Sequence, residues 1–298
     1  MSSSLNVLIL GHGEMGSAME FLLAPHHRVR VWQRRGATPL PTAAADAAIV
    51  LFCVPTPPHA ELAQALAPAL APTALCLTVA KGLDETGRTA VEALHATLGD
   101  RPYGVIYGPM IAEELRAGRP GFALLGLDHA QADVRAESLF QNTMLHIERA
   151  TDIAGLSWCA VLKNVYALLF GAADELGLGD NMRGYLAVAA VAELGAICVK
   201  LGGHAASAAT LAGLGDLITT ATSRGSHHHA LGQRIARGET AGLTGEGLHT
   251  LRVLAKGARL ALQDYPLAAL AARCALSGHD ARTELDHYLE QHRAVAKT

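Results

Sequence analysis

"VLILGHGEMGSAMEFLL", residues 7–23, decides how the first half of this 298-residue chain folds. Val7–Leu10 is a short apolar run of strand composition, and Glu14–Leu23 carries apolar residues at helical spacing. Between them lie Gly11, Gly13 and Gly16, in the pattern GxGxxG. Gly11 permits a tight turn, Gly13 lets a pyrophosphate approach the backbone, and Gly16 lets helix and strand pack closely. The helix start adds free N–H groups and the positive end of a dipole. The turn therefore reads as a dinucleotide site, with Gly11, Gly13, Glu14, Met15 and Gly16 as cofactor-binding candidates. An ordinary glycine-rich turn is the competing reading.

The pattern extends outward from this turn. Further strand candidates are Val29–Trp32, Ile49–Val54, Leu75–Val79, Gly104–Tyr107 and Phe122–Leu125, with a second helix candidate at His59–Ala67. Strands alternating with helices predict a parallel sheet covered on both faces. From about residue 152 the β-rich runs stop and helical periodicity continues to the end, with QHRAVAKT expected as a frayed tail. The expected fold class is α/β, a Rossmann-type dinucleotide-binding domain over residues 1–150 followed by an all-helical domain over residues 151–298.

Composition narrows the function. Half the residues are hydrophobic, and a net charge of -3 gives no support for nucleic-acid binding. The five cysteines, Cys53, Cys76, Cys159, Cys198 and Cys274, form no CxxC pair, which suits a reducing, cytoplasmic setting without structural zinc. The N-terminus lacks the basic and apolar regions of a signal peptide. The alanine-rich segment 183–199, interrupted by Glu193, is expected as a buried helix and not a membrane span.

The second strand runs into Gln33-Arg34-Arg35-Gly36, with no acidic residue to accept from ribose hydroxyls. Arg34 and Arg35 could instead pair with a 2′-phosphate, so NADP is the expected preference over NAD. Two solvated surface arginines are the alternative.

Four further stretches resemble the NAD(P)-dependent glycerol-3-phosphate dehydrogenases. They are Val79-Ala80-Lys81-Gly82-Leu83-Asp84; the GPMIAEELRAGRP segment, residues 108–120; Leu162-Lys163-Asn164-Val165 with the downstream GAADELGLGDNMRGYLAVAAVAELGAICVKLGG; and Leu211-Ala212-Gly213-Leu214-Gly215-Asp216-Leu217. The resemblance spans residues 5 to about 270. It implies interconversion of dihydroxyacetone phosphate and sn-glycerol 3-phosphate, a compound of glycerophospholipid metabolism, and a homodimer acting on a small-molecule substrate. It also implies that Lys163 is the catalytic lysine, that Lys81 is a second active-site lysine, and that Asn164 and Asp216 hold lysine and substrate. Thr220 matches a substrate-side threonine and Glu246, with Gly247, a cofactor contact. The chemistry suits these residue types: hydride delivery to a ketone leaves charge on oxygen, which an ammonium stabilises and protonates.

The resemblance lapses at one place. Where the family carries Ser-Arg-Asn-Arg for phosphate recognition, this chain has Ser226-His227-His228-His229. The segment is expected as a loop, with His227, His228 and the nearby Arg224 as substrate-binding candidates. Histidine offers fewer donors than arginine and only part-time charge. A solvated polar loop is the bland reading. Adjacent histidines cannot easily turn three rings to one ion, so no metal is assigned. Other departures are the lost glycines before Lys163, the bulky Trp158, Met110 for Ser or Asn, and a short segment between Arg35 and Ile49. These leave open a related reductase of another small keto or hydroxy acid, or a non-catalytic NADP-binding protein.

Overall fold

The protein is described by a computed structural model covering residues 4–128, 134–223, 225–239, 241–257 and 259–295, the last four as backbone only. It forms two compact units, residues 1–84 with 88–157 and residues 85–87 with 158–298.

The first unit is built on a seven-stranded sheet of order β2-β1-β3-β4-β5-β6-β7. Its elements, in chain order, are β1 (Asn6–Leu10), α1 (Glu14–Leu23), β2 (Arg28–Trp32), α2 (Leu40–Ala44), β3 (Ile49–Phe52), α3 (His59–Leu66) and β4 (Leu75–Thr78). They continue with α4 (Ala90–Leu98), β5 (Tyr103–Tyr107), α5 (Ala112–Arg116), β6 (Gly121–Leu127), α6 (Val134–Ser138) and β7 (Leu145–Ala150). Strands β1 and β3–β5 are continuous apolar runs because both faces are covered. Alternation then sorts the side chains. Val7, Ile9, Leu51, Leu77 and Ile106 pack on one face with α1 and α5, while Leu8, Leu10, Val50, Phe52 and Cys76 pack on the other with α2, α3 and α4. Each such fully buried Leu, Ile or Val contributes about 1.5–3 kcal/mol of transfer free energy.

Two features depart from the expected parallel sheet. β6 runs antiparallel to β5. The chain reverses at Gly108, where an added Cβ would lie 2.3 Å from the Phe122 carbonyl oxygen, and Phe122 N–H donates to Pro109 O at 3.1 Å. The connection between the two strands carries only the five-residue α5. β7, absent from the sequence reading, pairs parallel with β6. Its sequence LHIERA hides it, because this edge strand buries only Leu145 fully.

The second unit is helical: α7 (Ile153–Glu175), α8 (Gly179–Lys200), α9 (Asp216–Thr222), α10 (His227–Ala236), α11 (Glu246–Leu254), α12 (Pro266–Ser277) and α13 (Ala281–Val295). Asp152 opens α7 by accepting from Gly155 N–H at 3.0 Å. α7 is apolar on all sides, and 89 % of its most apolar window is buried, the pattern of a core helix. α8 is as apolar but only 39 % buried there, with Val188 and Val199 exposed, so the helix expected to be buried is half open. By length and composition alone both could cross a membrane. The end of α13 runs through Gln291–Val295, part of the segment expected to fray.

Helices α7 and α10 cross backbone to backbone. A Cβ at Gly171 would meet His229 O at 2.0 Å, and one at Gly232 would meet Leu168 O at 2.0 Å. That crossing needs glycine on both helices, and it brings the first turn of α10 against α7. Glu193, the polar break in α8, has a structural use. Its carboxylate accepts from Tyr166 hydroxyl at 2.9 Å and from Leu267 and Ala268 N–H at 2.9 and 2.8 Å, so α8 caps α12.

Candidate active site

In the first unit the glycine turn sits where the strand order reverses, between β1 and β3, at the carboxyl ends of both strands. This is the place where open α/β sheets bind ligands. Gly11 has φ 91°, and its Cβ would meet the Cys53 carbonyl oxygen at 2.8 Å. A Cβ at Gly16 would lie 2.1 Å from Gly11 O. At Gly13 no described residue beyond its two chain neighbours lies within 4 Å of an added Cβ. Two glycines are thus required by the fold, whereas the third leaves space open at the start of α1. The turn fits a dinucleotide pyrophosphate. Glu14 and Met15 begin the helix, and Arg116 braces it by donating to Glu14 O at 2.9 Å and to its carboxylate at 2.6 Å.

Arg34 and Arg35 occupy the turn after β2, closed by Gly36 N–H donating to Gln33 O at 2.8 Å. Arg34 pairs with Glu61 of α3. Lys81, at the end of the segment after β4, donates from Nζ to Gly108 O at 3.1 Å. The strand end before it is fixed by His59, which sequence reading overlooked. His59 is fully buried, stacks on Phe52, and spans Pro55 O (3.1 Å) and Thr78 Oγ1 (2.8 Å). Burial pushes its pKa down to about 4, so the ring is neutral.

In the second unit, Lys163 projects from the middle of α7. Its Nζ lies 3.0 Å from Asp216 Oδ1 and donates to Thr220 Oγ1 at 2.5 Å. Asp216 and Thr220 stand one turn apart on α9. Lys163, Asn164 and Asp216 are all buried. Asn164 Nδ2 donates to Glu246 Oε2 at 3.3 Å, joining α7 to the start of α11. Gly247 permits this contact, since a Cβ there would lie 2.5 Å from Asn164 O.

The histidines correct the sequence reading. They do not lie on a loop: they form the first turn of α10, capped by Ser226, whose hydroxyl accepts from His229 N–H at 3.2 Å. Each ring has its own partner, with His227 exposed and His228 and His229 half-buried. His227 Nε2 donates to Thr244 O at 2.9 Å, and His229 Nε2 donates to Asp174 Oδ2 at 2.7 Å. His228 Nε2 accepts from Gly247 N–H at 3.2 Å, which fixes the neutral tautomer with its proton on Nδ1. Burial, then the Lys163 charge, lowers the His228 pKa to about 3. Arg224 lies outside the described residues. Among the described residues no group of three His, Cys, Asp or Glu is placed to hold a metal ion. Trp158 is buried one turn and a half before Lys163, with the Arg259 guanidinium 5.5 Å above its ring.

The first unit thus offers a turn that fits a dinucleotide, and the second a buried ammonium that can stabilise and protonate an oxyanion. Residues 36–133 match the family model for the NAD-dependent glycerol-3-phosphate dehydrogenase N-terminus, and residues 152–285 match that for the C-terminus. The chain is 32 % identical to a glycerol-3-phosphate dehydrogenase [NAD(P)+] of Gloeobacter violaceus over 88 % of its own length and 90 % of that protein's. It is 34 % identical to one from Agrobacterium fabrum, over 72 % of this chain and 67 % of that one. Its fold is like that of the solved glycerol-3-phosphate dehydrogenase from Coxiella burnetii, with TM-score 0.85, 24 % identity, and coverage of 96 % and 99 % of the two chains. The chain belongs to the NAD-dependent glycerol-3-phosphate dehydrogenase family, and its cofactor is NAD(P).

Proposed function

We propose that this enzyme interconverts dihydroxyacetone phosphate and sn-glycerol 3-phosphate by hydride transfer, with NADP(H) preferred over NAD(H). The observation that carries this reading is the buried Lys163 ammonium held between Asp216 and Thr220. The bound dihydronicotinamide supplies the hydride. Lys163 stabilises the charge growing on the ketone oxygen and passes a proton from Nζ to it. Asp216 supplies the counter-charge of the ammonium, and Thr220 fixes its direction. Asn164 and Glu246 hold the neighbouring turn of α7 against α11. Lys81 contributes a second ammonium. In the reverse direction Lys163, starting as the neutral amine, would accept the hydroxyl proton while the oxidised nicotinamide would take up the hydride.

The open space at Gly13 and the start of α1 receive the pyrophosphate, and Arg34 with Arg35 receive the 2′-phosphate of NADP(H). Five cysteines, none of them in a disulfide, suit a reducing cytoplasm, and a homodimer is the expected assembly. A second reading, a related reductase of an unphosphorylated keto acid or ketone, is favoured by one observation: carbonyl-bound His227 and Asp174-bound His229 stand where the phosphate segment of the family carries guanidinium groups. The experiment that decides is NADPH oxidation with dihydroxyacetone phosphate beside dihydroxyacetone and 2-oxo acids. The proposal expects kcat/KM for the phosphate ester to exceed that for dihydroxyacetone. Equal values, or a faster 2-oxo acid, transfer the assignment to the second reading.

A further inference from the structure

The arginine turn and the glycine turn are tied together: Gly11 N–H donates to Trp32 O at 2.9 Å, and Arg34 follows two residues later. Within this turn the two arginines are not equivalent. Arg34 Nη2 donates to both oxygens of Glu61, at 3.0 and 3.2 Å. Arg35 is exposed and no described residue pairs with it. Glu61 comes from the first turn of α3, which follows β3, the strand on the opposite side of β1 from β2. Dinucleotide sites that favour NAD(H) place a carboxylate at the end of β2 itself. Here the β2 end offers Gln33, and the carboxylate reaches the same turn from across the switch point.

We propose that Glu61 sets the cofactor preference by competing with the ribose 2′-phosphate of NADP(H) for Arg34. The inference rests on the reading of Arg34 as a 2′-phosphate contact. The pair is open to solvent, with side chains 63 % and 69 % exposed, so it is weakly held and readily displaced. A phosphate dianion offers the same guanidinium a stronger, two-pronged partner, but it must first expel a carboxylate of like charge. NAD(H) has a hydroxyl at that position and leaves the Arg34–Glu61 pair intact. Glu61 therefore lowers affinity for one cofactor and spares the other, drawing the two toward parity. Arg35, without a competing carboxylate, keeps the remaining preference for the phosphate.

The test is a fluorescence titration of NADPH and of NADH against the wild-type chain, Glu61→Gln, Arg34→Gln and the double variant. Glu61→Gln should tighten NADPH by about two- to five-fold, the range an exposed ion pair commands, and move NADH by less than about two-fold. In the Arg34→Gln background the same change should give no gain, because the contested group is gone. An unchanged or weaker NADPH affinity in Glu61→Gln overturns the competition, as does an equal gain in both backgrounds. If Arg34→Gln alone binds NADPH as tightly as wild type, the reading of Arg34 itself fails, whatever Glu61 does.

Discussion

Lys163 Nζ stands 3.0 Å from Asp216 Oδ1, and both side chains are under a tenth exposed, at 7 % and 4 %. Buried this way, neither charge tolerates loss of the other. Asp216→Ala should destabilise the chain by about 3–5 kcal/mol, because an ammonium is left without its counter-charge. Asp216→Asn, which keeps an acceptor, should cost less. Urea unfolding of both variants checks the order, and equal stabilities would show that the pair is solvated.

The three glycines of the first turn should separate binding from folding. Gly13→Val should leave the unfolding midpoint nearly unchanged, since no described residue beyond its chain neighbours meets its Cβ and its φ of -76° suits any residue. The same substitution should severely weaken NADPH binding. Gly16→Val should instead disrupt the fold, because its Cβ would lie 2.1 Å from Gly11 O. The pair is measured by thermal unfolding together with NADPH titration. Tight NADPH binding by a folded Gly13→Val would remove the pyrophosphate assignment.

His228 gives the fold an acid limit. Its pKa falls from an ordinary 6.5 to about 3 in the folded chain, so between those values the unfolded chain binds the extra proton. The stability it contributes is complete above pH 6.5 and is lost as pH drops toward 3, by up to about 1.4 kcal/mol per pH unit. His59, lowered to about 4, acts in the same sense. Unfolding free energies from pH 7 to 4.5 should show a slope smaller by nearly one proton in His228→Asn than in wild type. Identical slopes would mean that His228 titrates normally.

Glu193 should be one of the costlier carboxylates to remove. Glu193→Ala leaves the Leu267 and Ala268 N–H groups and the Tyr166 hydroxyl without this acceptor. A loss of about 2–4 kcal/mol is expected. Hydrogen exchange at Leu267 and Ala268 should accelerate. Unchanged exchange there would contradict the capping role.

Much of this architecture was legible where the determining contacts are local. The glycine turn, α1 and the first five strands follow from spacing and composition within about ten residues. The direction of β6 was not, because a strand's run of apolar residues is the same read along either direction; the reversal is set by Gly108 against the Phe122 backbone. β7 is not legible because its alternation covers only Leu145 to Glu148, too short a run to mark a strand, and of its residues Leu145 alone is buried. The lysine with Asp216 and Thr220 came through as a family pattern. The histidines were misplaced because their partners, Asp174, Thr244 and Gly247, are remote in sequence. Glu61 carries no motif at all and is visible only as the partner of Arg34.

The central claim is that Lys163 carries the charge and the proton of the hydride-transfer step. It is tested most directly by kcat for NADPH oxidation with dihydroxyacetone phosphate in Lys163→Met, with NADPH affinity and unfolding measured on the same sample. Lys163→Met/Asp216→Asn serves as the companion in which no carboxylate is left uncompensated. Both variants should bind NADPH as wild type does, while kcat falls by about 10² to 10⁴-fold. A folded Lys163→Met that retains most of the wild-type kcat would contradict the account.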